Sequence, residues 1–277
     1  MSDHHTPADT SGYSHGHQPS VLASHATRTA ANSCAYFLDR LAPGQKVLDL
    51  GCGPGSITLD LAERVGPAGH VVGVDFSADA IAVARNSAER RGDDVTEFFV
   101  GDLFNVDVAT GSFDIVHAHQ VLQHVPNPVQ ALEAMANYCK PDGLIVARDA
   151  DYGAMAWYPQ LPWMDQWLET YCEGARATGG EPFAGRRLRA WAHAAGLEVE
   201  FAGSSNWTYA TPEATAWWGG SQADRVQHSN FTQRAAEQGL SLDQIDHIAA
   251  DWRAWGQDPD AWFLVPHGEI IATKRTA

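Results

Sequence analysis

Residues 46–66 read KVLDLGCGPGSITLDLAERVG. Val47, Leu48 and Leu50 make a short apolar strand. Gly51, Gly53 and Gly55 make a tight turn, and Ile57, Leu61 and Val65, four residues apart, mark one face of a helix. A passage from buried strand through a glycine turn into a helix is the opening of a βαβ unit. That unit commits the chain to a parallel sheet with helices on its faces.

The sequence that follows keeps the same rhythm. HVVGVDFS reads as a second strand, with Ser77 as an N-cap and Ala80, Ala84 and Ala88 as a closely packing helix face. VTEFFVGD reads as a third strand and SFDIVHAH as a fourth. Asn127-Pro128 then caps a helix carrying Val129, Leu132, Ala136 and Cys139, and GLIVARDAD supplies a fifth strand. Residues 152–183 break the alternation with Trp157, Tyr158, Trp163, Trp167 and Tyr171 in a helical stretch bounded by Gly179-Gly180, so they are expected to form an inserted cap. RRLRAWAHAAGLEVEFAGSSNW returns to a helix and a sixth strand. Residues 212–256 are expected to add two helices to the cap, and WFLVPHGEIIATKR to close the sheet edge as a strand. At the other end, residues 1–12 are polar, and the pattern from Ser20 to Leu41 predicts a helix stopped by Pro43-Gly44. The expected organisation is an N-terminal segment and lid helix over 1–44, followed by one domain over 45–277 with helical cap insertions at 152–183 and 212–256.

Charge limits the partners. Eighteen Lys and Arg against 34 Asp and Glu give a formal net charge of −16 in 277 residues, a field that repels nucleic acid. No apolar run approaches the roughly 20 residues that cross a bilayer, and MSDHHTPADT lacks the layout of a signal peptide, so a cytoplasmic protein is expected. Cys34, Cys52, Cys139 and Cys172 form no CxxC and fit reduced thiols. Five histidines among the first 25 residues fit no ligand spacing, so no metal is expected. A small-molecule substrate and, at most, a second copy of this chain are the expected partners.

The glycine turn lies where an open parallel sheet holds a nucleotide, at the carboxyl end of the first strand. Its spacing is GxGxG, not the GxGxxG that seats a pyrophosphate, and no Lys or Arg occurs from Val47 through Glu63. An anion is poorly served there. Asp49 precedes the turn. Asp75 ends the second strand, where a carboxylate accepts from a ribose diol, and Asp102 ends the third, placed to accept from an exocyclic amino group. Carboxylates on three strand ends suit a cationic nucleoside.

With these residues in view, the chain resembles class I S-adenosylmethionine-dependent methyltransferases. VLDLGCGPG is similar to the first motif of that family, VVGVDFS to its second-strand motif, VGDL to its third and FDIVHAHQVLQHVPNP to its fourth. The match covers residues 40–150 and is closest in kind to the small-molecule enzymes of ubiquinone and menaquinone biosynthesis. Tyr13-Ser14-His15-Gly16-His17 and the run from Arg28-Thr29 to Asn32-Ser33 also resemble an N-terminal segment of bacterial members. The resemblance implies a Rossmann-like α/β fold with a seven-stranded, mostly parallel sheet whose last strand, near Gly268–Lys274, is antiparallel. It implies S-adenosyl-L-methionine as cofactor and S-adenosyl-L-homocysteine as its product. Gly51, Gly53 and Gly55 would then pack on the methionyl and ribose part, beside Asp49. Asp75 would hold the ribose hydroxyls, Phe76 and Ser77 would lie beside the adenine, Gly101, Asp102 and Leu103 would address its edge, and His119 and Gln120 would lie near the methionyl end.

Methyl transfer needs nucleophile, carbon and sulfur aligned in a water-poor cavity. For a hydroxyl acceptor, His124 and then His119 are the candidate bases, although each fits equally a histidine that only hydrogen-bonds within its loop. Tyr13, His17, His25 and Arg28 are candidates for a lid, with Arg28 meeting the cofactor carboxylate. Most of the ten tryptophans lie in the cap regions. Trp157, Trp163, Trp218 and Trp262, with Asp151 at the mouth, are the candidate contacts for an aromatic, polycyclic or polyketide-like substrate. The leading expectation is methyl transfer to such a metabolite. The alternative is a cofactor-binding scaffold that shapes a substrate for cyclisation or rearrangement; a nicotinamide-dependent oxidoreductase is disfavoured by the glycine spacing. No motif selects O, N or C as acceptor.

Overall fold

The computed structural model describes residues 28–275. Eight strands form one sheet: β1 (Lys46–Leu50), β2 (His70–Asp75), β3 (Thr96–Val100), β4 (Phe113–His119), β5 (Cys139–Ala150), β6 (Ala156–Tyr158), β7 (Leu197–Tyr209) and β8 (Trp262–Lys274). Their order is β3-β2-β1-β4-β5-β8-β6, with β7 along the other edge of β8. The first five pair in parallel, and β8 runs antiparallel to β5, β6 and β7. The mostly parallel, Rossmann-like α/β sheet is therefore as expected. It has eight strands instead of seven, because the chain leaving β5 pairs once more with β8 as the three-residue β6, inside the segment read as helical.

The period of two along each strand divides the core. Leu48, Leu50, Val72, Val74, Val116 and Ala118 face α4 (Pro128–Tyr138) and α6 (Leu188–Ala194). Val47, Val71, Ile115 and Val146 face the opposite side, against Ile57, Leu61 and Val65 of α2 (Ser56–Val65) and against Ala30, Cys34 and Phe37. The helix α3 (Ala78–Arg91) begins at Ser77, whose hydroxyl accepts from the Ala80 N–H at 3.2 Å, and packs through Ala80, Ala84 and Ala88. Asn127 caps α4 in the same way, through the Gln130 N–H.

The described part of the segment read as a single helix over 20–41 is broken. It contains only α1 (Ala30–Ser33) and a 3-10 turn over Leu38–Arg40. Thr29 and Asn32 exchange side-chain to backbone hydrogen bonds in a capping box that starts α1 at Ala30, and the turn after Cys34 drops Phe37 into the core.

The cap gathers a second apolar cluster. It comprises α5 (Met164–Ala177), α7 (Pro212–His228), α8 (Asn230–Glu237) and α9 (Leu242–Gln257), three helices over 212–256 where two were expected. Ser229 ends α7 and its hydroxyl accepts from the Phe231 N–H to start α8, which splits the run. Trp252 and Trp255 have no exposed surface; Trp255 packs edge-on against Phe263 of β8, and Trp252 packs edge-on against Trp167 and tilted against Phe263. A Cβ at Gly219 would stand 2.8 Å from the Gly256 Cα, so α7 and α9 approach backbone to backbone. Among the described residues no helix is long and apolar enough to cross a membrane.

Candidate functional site

Gly51, Gly53 and Gly55 have φ of 70°, 55° and 78°, a conformation that other residues reach only with strain. The N–H groups of Gly51 and Cys52 both donate to the Val74 carbonyl, which anchors the turn on β2. A side chain at Gly51 would run into Val121, and one at Gly55 would come within 2.8 Å of the Phe98 ring. The turn thus leaves bare backbone where β1 meets α2, packed against the chain that follows β4.

Asp75 sits across this turn. One carboxylate oxygen accepts from the Gly53 N–H and the other from the Ser77 N–H, each at 2.9 Å. Phe76, beside it, is 49% exposed. Asp102 is exposed on the neighbouring loop, where it accepts from the Phe104 N–H at 3.0 Å, and Gly101 and Leu103 flank it half-buried. The sequence thus brings Gly51, Gly53, Gly55, Asp75, Phe76, Ser77, Gly101, Asp102 and Leu103 to the carboxyl ends of β1, β2 and β3. Tyr13 and His17 lie outside the described residues.

Asp49 departs from the expected arrangement by pointing inward. It is 2% exposed; one oxygen accepts from Thr58 Oγ1 at 2.6 Å and the other lies 2.7 Å from His117 Nδ1. His117 Nε2 is in turn 3.4 Å from Cys34 Sγ. Burial opposes a charge on His117, but the Cys34 sulfur and the Asp49 carboxylate outweigh it and hold its pKa up at about 10. Asp49 therefore ties β1 to α2 and β4 by a buried polar chain, which the strand-end reading of three outward carboxylates missed.

His119, two residues on, has the opposite environment. Burial and the nearby Arg148 and Arg28 push its pKa well down, and neither ring nitrogen has a partner among the described residues. Arg148 is fully buried beneath it, its Nε donating to Glu269 and Ser205 at 3.1 Å each, with the guanidinium 5.0 Å from the Trp207 ring centroid. Gln120 follows β4 directly with φ 53°, the one positive φ at a non-glycine among the described residues. That conformation aims its amide so that the NH2 donates to His267 Nε2 at 2.7 Å, while His267 Nδ1–H donates to the Val265 carbonyl at 3.0 Å.

Gln120 also lines an open-mouthed cleft. Its walls are Trp167, Trp207 and Trp218, Tyr152 and Tyr171 stacked at 4.2 Å, Phe231, Met155, Val226 and Val265, with Thr170, Gln222, Ser229 and the guanidinium-bearing Arg28, Arg225 and Arg234. Of the substrate contacts expected from sequence, Trp218 alone is in this wall. Trp157 is stacked on Phe263 in the core, Trp163 on His247, and Trp262 stands 37% exposed on β8 outside the cleft. Asp151 is held by both Nε and Nη2 of Arg186, the latter at 2.7 Å, in a paired ion bridge away from the cleft wall. His124 is also not among the lining residues. Its Nε2 accepts from the Gln123 amide at 3.0 Å, and burial with Arg28 and Arg234 nearby depresses its pKa to about 3. Both features weaken it as a base. Trp207, Gln222, Arg225 and Arg234 escaped the sequence reading, because strand β7 and the cap helices carry no motif.

A family model described as a methyltransferase domain matches residues 41–219. An uncharacterized methyltransferase of Schizosaccharomyces pombe is 30% identical over 97% of this chain and 98% of its own length. The demethylmenaquinone methyltransferase of Lactococcus lactis is 32% identical over 51% of this chain and 54% of its own. Among solved structures, one described as a putative methyltransferase from Bacillus halodurans superposes with TM-score 0.58 at 21% identity, over 87% of this chain and 98% of that one. The cyclase SpnF superposes with TM-score 0.55 at 19% identity, over 93% and 81%.

Proposed function

This chain belongs to the methyltransferase-domain family of S-adenosylmethionine-dependent enzymes, and on that premise we propose that it methylates a small aromatic or polycyclic metabolite held in the tryptophan-walled cleft. The observation that carries the reading is a juxtaposition. Gln120 lines the cleft, and the next residue, Val121, fills the space over Gly51, so the substrate wall and the glycine turn share one stretch of chain.

The residues at the strand ends fit the cofactor. The left-handed glycine turn brings bare backbone to the carboxyl end of β1, the Asp75 carboxylate accepts from the Gly53 and Ser77 N–H groups beside it, and Phe76 is half exposed next to them. His119, the residue that the resemblance assigns to the methionyl end, has two buried ring nitrogens without a partner among the described residues. In this reading Gly51, Gly53, Gly55 and Asp75 hold the ribose and methionyl part. Phe76, Ser77, Gly101, Asp102 and Leu103 surround the adenine, and Arg28, His119 and Gln120 receive the amino-acid end. When bound, the sulfonium supplies an electrophilic methyl carbon.

The rest of the work belongs to the chain itself. The aromatic wall excludes water and fixes a flat acceptor, so that its nucleophilic atom faces the Gln120 end of the cleft. The described wall contains no carboxylate and no imidazole. Alignment, with little help from a protein base, is then the main contribution to rate.

Asp75→Ala is expected to weaken S-adenosylhomocysteine binding, read by calorimetry, by about tenfold or more, as befits a lost charge-assisted hydrogen-bond pair. Wild-type affinity in that variant overturns the assignment. The second reading is a non-methylating rearrangement on the same scaffold, a fold that the cyclase SpnF shares. Mass spectrometry separates the two: methyl transfer gives product one methylene heavier with an equal amount of S-adenosylhomocysteine, whereas rearrangement leaves the mass unchanged.

A further inference from the structure

The cleft differs in charge from the protein around it. The chain carries a net charge of −16, yet among the described residues the wall contains Arg28, Arg225 and Arg234 and no acidic residue. In a protein whose general field repels anions, three guanidinium groups converging on one apolar cleft select for an anion that can reach it. The distribution is not shared evenly. Arg28 stands at the Gln120 end, its guanidinium 5.5 Å from the Trp207 ring. Arg225 and Arg234 come instead from the cap helices α7 and α8.

Both cap arginines are set in place by their surroundings. Arg234 passes over α5 at Gly174, where a Cβ would stand 2.9 Å from the Arg234 Cδ, so the missing side chain makes the passage. The Gln238 amide, one turn further along, donates to the Thr170 carbonyl at 3.1 Å and fixes α8 on α5. The Arg225 guanidinium carbon lies 5.9 Å from the Trp218 ring centroid, within cation–π range of the aromatic wall. Gln222, 4% exposed, supplies an amide beside it. The field of these groups is felt nearby: after burial, Arg28 and Arg234 are what hold His124 neutral.

Resting on the methyltransferase reading, we propose that the acceptor substrate is an anion, an aromatic body bearing a carboxylate or phosphate, and that Arg225 and Arg234 bind that group while the tryptophans hold the rings. Planar forks that bind two oxygens at once suit either oxyanion. The anionic end anchored in the cap leaves the opposite end of the ring system directed at Gln120. Nucleophile position is therefore set by the distance from the anion, and substrates lacking it lose orientation as well as affinity.

The test uses the full chain with S-adenosylhomocysteine present and three probes of one shape: naphthoate, naphthyl phosphate and naphthol. Quenching of tryptophan fluorescence reports binding. At least one of the two anions is expected to bind about tenfold or more tightly than naphthol, the factor due to one or two charge-assisted hydrogen bonds. Whichever anion is preferred identifies the oxyanion. The preference is expected to shrink as salt is raised in the wild-type protein, a readout that needs no variant. Arg225→Gln and Arg234→Gln, each checked for a native circular dichroism spectrum, are expected to lose most of it with S-adenosylhomocysteine affinity at the wild-type level, and Arg234→Lys to keep a part. Equal binding of naphthol and both anions, or an undiminished preference in both glutamine variants, overturns the inference while leaving the methyltransferase reading intact. Failure of wild-type protein to bind S-adenosylhomocysteine overturns the reading beneath it instead.

Discussion

Replacing Asp49 with asparagine keeps the outline of the side chain and removes its charge. In the native protein the carboxylate lies between Thr58 Oγ1 at 2.6 Å and His117 Nδ1 at 2.7 Å, and neither Asp49 nor His117 has more than a trace of exposed surface. At pH 7 His117, whose pKa is held up at about 10, carries a proton. Asp49→Asn therefore leaves an imidazolium buried opposite an amide. Removing one partner of such a pair costs about 3–5 kcal/mol, because the remaining charge must either stay unpaired or give up its proton. Urea unfolding followed by circular dichroism at pH 7 is expected to show a loss of that order.

The pH profile sharpens the expectation. The folded pKa of His117 lies above its ordinary 6.5, so its stabilising contribution is complete below pH 6.5 and is lost as pH rises through about 10. In Asp49→Asn the folded pKa falls toward or below 6.5 and that slope flattens. The double variant Asp49→Asn/His117→Gln, which buries no lone charge, is expected to be more stable than Asp49→Asn alone. A single-variant loss below about 1 kcal/mol, or an unchanged slope above neutral pH, would refute the buried-pair argument. A direct role of Asp49 toward the cofactor would appear separately, as S-adenosylhomocysteine affinity lost in excess of stability.

Gly55→Ala forces a Cβ at φ 78° within 2.8 Å of the Phe98 ring and 2.9 Å of Ala84 Cβ. Left-handed backbone strain plus overpacking predicts a loss of about 2–4 kcal/mol, measurable as a lower urea midpoint. His119, His124 and His267 all have depressed pKa values, chiefly through burial. Their contribution is present above pH 6.5 and is lost as pH falls, for His124 through about 3, so the urea midpoint is expected to decline steadily on acidification from pH 6.5. A flat midpoint down to pH 4 would contradict the buried, neutral assignment.

Much of the sheet was legible because its signals are local. The apolar strands up to β5, the glycine turn and the caps at Ser77 and Asn127 each act within a few residues, and each is found where the sequence puts it. The same locality misled at Asp49, since the period of two that places a side chain on a sheet face does not say whether that face meets solvent or a buried histidine. In and around the cap, the tryptophans announced aromatic packing without assigning it. Trp252 and Trp255 fill the core, Trp262 sits outside the cleft, and Trp207, at a half-exposed position on an edge strand, lines it. Arg225 and Arg234 were invisible for a related reason: a lone arginine on a helix is usually solvated, and only the packing of α8 on α5 at Gly174 turns Arg234 inward.

Strand β8 occupies an interior place although it follows all the other strands in sequence. Its first half, with Phe263 and Val265, belongs to the tryptophan cluster, and its second half, with Ile270, Ile271 and Ala272, to the two faces of the main sheet. During synthesis β5 and β7 must wait, edges unsatisfied, for the segment that joins them. Assembly is thus governed by a late, long-range event, which predicts slow maturation and an exposed, association-prone precursor on the ribosome. Once seated, the same strand makes both clusters lean on one backbone, so loosening either should be felt by the other.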